Sequence, residues 1–453
     1  MRVETGLSSY QVFQRNAQNG ARITCRGSCG DGLGSIEVRV TTVSSILLDW
    51  QPVGRAAGGK WLADLQLPTG GPYRIELRLV GNGNPTEYAC VEQVLVGDLW
   101  VLAGQSNMEG LGSLVGAMVP HPLVNSFNMW DCWVNARDPL HELHRSVDPV
   151  HSAKEAREPW RGAGLGLPFA IEMVRHTGVP IGLVPCAHGG TTLEQWDPAR
   201  RAEGGNSLYG SLYRRCQVVG GRVKGLLWYQ GCSDATRQVA SLYTKRLTHL
   251  IAAIRQDLES PELPVFVVQI GRVVGAGWDP SGWEKVREAQ RMVASRVDGV
   301  YLTAAIDLDL EDNIHMNTDG LKRLGLRLAH QTCISLFSEP GELGPVLARI
   351  QVLSQTAIRV VYERVNGGLV SIGRLAGFAL ADSQGNQLPL IHSQVIDGAR
   401  GTSVLLRLIA ALPRTALLLY GPGLDPYCNL RDEAGQAAAA FGPLPIPWPT
   451  GVA

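Results

Sequence analysis

Two polar clusters in this chain carry residue types suited to acyl transfer. In GDLWVLAGQSNMEG an apolar run ends at Ala103 and passes directly into Gly104, Gln105, Ser106, Asn107 and Met108. A serine there sits at the carboxyl edge of a parallel strand. In open α/β sheets ligands bind beyond those strand ends, so the position suits a nucleophile whose backbone N–H also faces the reacting carbonyl. The competing reading is a plain strand-to-helix turn with Ser106 as a helix N-cap. In DLDLEDNIHMNTDGLKRLGLRLA, His315 follows Asp312 by three positions, in a polar loop leading to a helix that begins near Thr318. A serine hydroxyl is a weak nucleophile until a base takes its proton, and the base needs an acid to fix its tautomer and stabilise the imidazolium. Asp-x-x-His is common by chance, and Asp307 and Asp309 are also near enough in sequence to supply the acid.

Two more polar blocks end apolar runs: AHGGTTLEQW after IGLVPCA, and WYQGCSDA at the end of GLLWYQG. Glycine lets a backbone N–H approach an oxyanion closely, and an amide such as Gln230 can add a donor. Glycines also follow strands because turns need them. Trp228 lies inside an apolar run and reads as core, whereas Trp196, in a loop, is as fit to stack on a ligand as to pack. His188 reads as a loop histidine bonded to backbone, Cys232 as a buried thiol, and His141 and His144 in HELH as a polar loop face with no third metal ligand.

The elements that must position these residues follow from periodicity. Residues 1–92 hold short alternating runs such as SIEVRV and YRIELRLV between glycine and asparagine clusters, which predicts a small antiparallel sandwich. Residues 93–338 switch to apolar runs followed by helical stretches, LWVLAG, IGLVPCA, GLLWYQG, VFVVQI and VYLTAAI, which predicts parallel strands with crossover helices. The clearest helix spans about 237–258, with Val239, Tyr243, Leu247, Leu250, Ile254 and Leu258 on one face. Residues 339–453 return to alternation, ending in the proline-rich PLPIPWP, and form a second β module.

Composition limits the partners. The chain has 453 residues, enough for two or three cores, and its 41 basic and 41 acidic residues carry no run of one sign. No electrostatic footprint for nucleic acid or an anionic membrane exists, and nowhere do eighteen apolar residues run together. The first residues lack the apolar core of a secretory signal, which favours the cytoplasm, although a trimmed and restarted chain would look the same. The cysteines are scattered, with no second pair beyond Cys25 and Cys29 to make a zinc site. No metal or other cofactor is called for.

Taken in order, GQSNM, GGTTLEQW, WYQGCSDA and DNIHMNTDG resemble the four blocks of the sialate O-acetylesterase family, a carbohydrate-esterase branch of the SGNH hydrolases. The flanks GKWLADLQLPTGGPYRIELRLV and ALLLYGPGLDPYCNLRDEAGQAAAAFGP, and the stretch EPWRGAGLGLPFAIEMVRHTGVPIGLVP, are similar too. The resemblance implies an α/β fold with a flavodoxin-like three-layer α/β/α core between antiparallel β modules. It implies Ser106 as nucleophile, His315 as base and Asp312 as its partner. It places the oxyanion between the N–H of Ser106, Gly190 or its neighbour Gly189, and the side chain of Gln230. Gln105, Asn107, Trp196 and Asp234, within the same blocks, are candidates for substrate contact. Family members often carry Glu where this chain has Cys232, and Pro where it has Met316. The expected activity is hydrolysis of O-acetyl esters on a carbohydrate through an acetyl-serine. Plant-polysaccharide acetyl groups such as those of xylan or xyloglucan, a lipid ester, or a silent carbohydrate-binding protein are the alternatives, and oligomeric state is not readable.

Overall fold

The computed structural model describes residues 1–448. Six parallel strands form the central sheet. In chain order its elements are β1 (Asn84–Gly104), α1 (Ser106–Glu109), β2 (Val124–Phe127), α2 (Gly166–Thr177), β3 (Ile181–Pro185), α3 (Leu208–Val218), β4 (Gly225–Tyr229), α4 (Tyr243–Asp257), β5 (Val265–Gln269), α5 (Pro280–Arg296), β6 (Val300–Ala304) and α6 (Thr318–Phe337). Across the sheet the order is β2-β3-β1-β4-β5-β6, every pair parallel. Each of the five apolar runs forms one of these strands, and β3, β4 and β5 are buried along their whole length, as strands covered on both faces must be.

The chain leaves β1 toward β2 and β3 on one side and then toward β4 on the other. Connections departing in opposite directions open a crevice at the carboxyl end of the central strand. Gly104 ends β1 there at φ 133°, and a Cβ at that position would lie 2.3 Å from the Tyr229 carbonyl oxygen, so only glycine lets β1 and β4 approach this closely. Helix α4 buries Tyr243, Leu247, Leu250 and Ile254, the periodic face, while its expected first residues form a separate turn at Ala240–Leu242. Helix α6 starts where Asn317 accepts a hydrogen bond from Gly320 N at 2.8 Å. The strand β2 was not foreseen. It is four residues long, and Asn125 and Ser126 interrupt its apolar pattern although all four residues are buried.

Before β1 the strands are antiparallel apart from Val12–Gln14, which pairs with β1 in parallel; they close over an apolar core of their own, and their sheet continues into the central one. Six of them run Arg2–Thr5, Gly20–Ser28, Lys60–Pro68, Ile46–Ala57, Gly34–Thr41 and Gly70–Gly81 across one sheet, and the last pairs with β1. The 21-residue β1 therefore belongs to both regions, antiparallel over its first half and parallel over its second. Gln93, at φ 61°, marks a bulge within the antiparallel half, and residue 92 lies inside a single strand. After α6 come two four-stranded antiparallel sheets over their own apolar core. They are stapled to the central sheet by paired hydrogen bonds between Gln269 and Ala440 at 2.8 and 2.9 Å. Asp307 adds a second staple, held between Arg327 and Arg431. The proline-rich tail contributes the last strand, Phe441–Pro445, and ends outside the described residues. Among the described residues no helix is long and apolar enough to cross a membrane.

Candidate active site

Ser106 is the first residue of α1, directly beyond β1. Backbone N–H groups at that end have no intrahelical acceptor, and the serine hydroxyl makes no cap. The hydroxyl instead lies 3.0 Å from His315 Nε2. His315 Nδ1 lies 2.8 Å from Asp312 Oδ2. A carboxylate only accepts, so Nδ1 donates to Asp312 and Nε2 is left to accept from Ser106. The Asp312–His315 spacing works because Asp312 Oδ1 also accepts from the backbone N–H groups of Ile314 and His315 at 3.0 and 2.9 Å, folding the loop round its carboxylate. Partial burial opposes the charge on Asp312. Hydrogen bonds from His315, Arg161 and these two N–H groups outweigh it and hold the carboxyl well below the usual range. Asp307 and Asp309 face elsewhere, paired with Arg327 and Arg272.

Asn107 links the two halves of this array. Its Nδ2 donates to Ile314 O at 3.3 Å and its Oδ1 accepts from Met316 N at 2.9 Å, so the histidine loop is clamped on either side of His315. A proline at 316 has no N–H to give. Asn107 is thus a buried brace rather than a surface for substrate. Gln105 lines the cleft, and its Oε1 accepts from Gly231 N and Ser233 N, holding the third block against the first.

Three expected contacts are corrected. Gln230 is fully buried, its Nε2 donating to Thr191 O at 2.9 Å and Asp234 Oδ2 at 2.6 Å, so it offers nothing to an oxyanion. Asp234 is fully buried as well and accepts from Leu193 N, tying the second and third blocks together. Trp196 packs edge-on against Trp228 and donates its ring N–H to Thr191, with no surface left for a sugar. All three are polar or aromatic residues beside glycine turns, and sequence alone does not tell which side of the turn they face. Gly189 packs on Ser106, where a Cβ would meet Ser106 Cβ at 3.2 Å, but its N–H donates to Glu109 Oε2 at 2.6 Å. Gly190, at φ 79°, lines the cleft beside it.

The cleft above Ser106 has a volume of about 610 Å³. A strap formed by residues 153–161 makes one wall, and the sequence reading assigned it no role. Three of its cations each reach a different part of the site. Lys154 donates to Gly189 O at 3.1 Å, and Arg157 pairs with Glu109 and donates to Gly110 O at 2.6 Å. Arg161 donates to Leu111 O at 3.1 Å and to Asp312 Oδ2 at 2.7 Å. Trp278, half-buried and edge-on to Trp283, is the aromatic residue that lines the cleft. Cys232 also borders it, its thiol pushed up to about 12 by burial. Behind Gly189, His188 meets His151 at 3.0 Å, and His151 reaches Ser211 at 3.2 Å, which donates to Asp148. Burial drives both imidazoles toward the neutral form. His141 is buried and not on a polar face.

Among the described residues one group, His176, Cys333 and Glu339, brings ligand atoms within 4.8 Å of one another. The His176 ring lies within hydrogen-bond reach of both Glu172 and Glu339, away from the cleft lining.

Known proteins resemble this chain in sequence and in fold. A probable carbohydrate esterase of Arabidopsis thaliana is 33% identical over 267 residues, covering 53% of this chain and 91% of that protein. The crystal structure of a carbohydrate acetylesterase from Xanthomonas citri shares the fold across 97% of this chain and 98% of its own, with a TM-score of 0.66 at 24% identity. The family described as carbohydrate esterase, sialic acid-specific acetylesterase, matches residues 96–334, from the end of β1 through α6. This chain belongs to that family of carbohydrate esterases.

Proposed function

We propose that this enzyme is a serine esterase of the SGNH type that removes O-acetyl groups from a carbohydrate through an acetyl-serine, on a three-layer α/β/α core. The framing β modules precede and follow that core, and the first shares β1 with it. Ser106 attacks the acetyl carbonyl as His315 takes its proton. His315 then protonates the departing sugar hydroxyl, and water hydrolyses the acetyl-enzyme by the same route. The backbone N–H groups of Ser106 and Gly190 stabilise the oxyanion, with Gly189 held in place by Glu109. The observation that carries the reading is the unbroken chain Ser106–His315–Asp312, at 3.0 and 2.8 Å. Labelling with a fluorophosphonate and mapping the modified peptide tests it. Modification at Ser106 that is lost in His315→Ala is expected, and modification elsewhere, or none, refutes it.

For the sugar, acetylated sialic acid is the substrate the family description suggests. A second reading, a neutral acetylated polysaccharide, is favoured by one feature. Of the cations that line the cleft among the described residues, Arg157 and Arg161 are already paired with Glu109 and Asp312, which leaves Lys154, bonded to Gly189 O, as the one cation there to meet a sugar carboxylate. Side-by-side hydrolysis of acetylated sialic acid, acetyl-xylan and 4-nitrophenyl acetate separates the two.

A further inference from the structure

We infer that the cavity between Tyr10 and Trp130 is a second sugar subsite, taking one pyranose unit of the same glycan chain whose acetyl group is delivered to Ser106. The inference rests on the esterase reading above. The cavity measures about 370 Å³ and shares Pro139 and Glu142 with the catalytic cleft, so the two lie side by side and a chain of linked sugars would occupy both. Its volume lies in the range of small-ligand sites, about 300–1,000 Å³.

Its walls combine what a sugar ring requires, apolar faces beside polar edges. Tyr10 and Trp130 supply the aromatic surface. Tyr10 is 37% exposed yet fixed, its N–H donating to Glu92 O at 3.0 Å and its carbonyl accepting from Asn125 Nδ2 at 2.7 Å. Trp130 has Arg145, also in the lining, stacked 3.5 Å from its ring centre. In the same wall Ser126 and Asn128 are 2% and 4% exposed, and Ser126 Oγ and Asn128 Nδ2 have no protein partner. Asn128 Oδ1 accepts from Trp130 N and Cys132 N, which orients the amide so that Nδ2 is its free end. A buried polar group without a partner is unfavourable, and ring hydroxyls that reach these two atoms on binding would relieve it. Groups already held in place lose little entropy when they bind, so the subsite adds to affinity.

The test compares wild type with Tyr10→Ala, Trp130→Ala and Asn128→Asp, the last keeping the Oδ1 acceptor and removing the donor. Three probes are used: 4-nitrophenyl acetate, acetylated methyl xyloside with acetylated xylo-oligosaccharides of two to six units, and acetylated sialic acid with acetylated sialyl-lactose. Wild type should turn over the longer member of a series at least tenfold faster in kcat/KM than the shorter. Each variant should lose most of that advantage through KM while keeping wild-type turnover of 4-nitrophenyl acetate, which also reports correct folding. Wild-type activity with no chain-length dependence in either series overturns the subsite, as does a parallel fall on every probe. Absence of 4-nitrophenyl acetate hydrolysis together with absence of Ser106 labelling defeats the esterase reading instead.

Discussion

Arg161 is the residue whose removal tests the catalytic array most sharply, because it acts on Asp312 from outside the three-residue chain. Its Nη2 lies 2.7 Å from Asp312 Oδ2, the oxygen that also receives His315 Nδ1–H. A charge-assisted hydrogen bond is worth about 1.5–3 kcal/mol. The side chains are 15% and 31% exposed, and partial solvation brings the figure to about 1–2 kcal/mol. If that energy holds the carboxylate where His315 needs it, Arg161→Ala loses about 5- to 30-fold in kcat, since 1.36 kcal/mol is one decade. The expected change in KM is small. Acid sensitivity is the second readout. A carboxyl held below its unfolded value contributes stability that is present above that value and lost as pH falls through the folded one. Without Arg161 the folded value rises, so the variant loses activity and melts at a higher pH than wild type on acidification. Arg161→Lys keeps a positive charge without the fork and should recover part of kcat. The assay is 4-nitrophenyl acetate hydrolysis from pH 4 to 8 with melting curves alongside. Unchanged kcat and an unchanged acid limb in Arg161→Ala would refute the reasoning.

Met316→Pro removes the N–H that Asn107 Oδ1 accepts and should cost about 1–3 kcal/mol in a urea melt; an undiminished midpoint would mean the brace is idle. Gly104→Ala places a Cβ 2.3 Å from Tyr229 O at φ 133°, and is expected to destabilise by about 1–3 kcal/mol or more and to cut kcat by displacing Ser106. Full activity with an unchanged Tm would contradict the close approach of β1 and β4. Burial raises Asp138 to about 7, and its Oδ1 has no protein partner. The native carboxyl keeps its proton to that pH while the unfolded chain releases it near about 3.9, so stability falls as pH rises between those values. Asp138→Asn is neutral throughout, and its Tm relative to wild type should be higher at pH 8 than at pH 4.5; an equal offset at both refutes the assignment.

The parallel strands were readable because a strand buried on both faces needs an unbroken apolar run, and LWVLAG, GLLWYQG and VFVVQI meet that need openly. Ser106 and His315 were readable as residue types at strand and helix ends, and the loop that joins Asp312 to His315 is local enough for spacing to indicate. What sequence did not reveal is direction. Gln230 and Asp234 look like ligand-facing groups beside glycines, yet both turn inward to hold one loop against the next. Trp196 was evenly balanced between stacking and packing until its neighbour Trp228 was located across the turn. Arg161 stands about 150 residues from Asp312 in the chain, and no local pattern announces such a partner. The strap cations looked like ordinary surface charge in EAREPWRGAG.

The continuity of β1 has a practical bearing. The 21-residue strand that leads to the attacking serine starts at Asn84, within the antiparallel sheet of the first module. The first module and the serine are thus joined through one strand and not through a flexible linker. The same continuity means that cutting the gene at residue 92 would sever a strand, strip its paired neighbours and leave an open sheet edge prone to sticking to other chains.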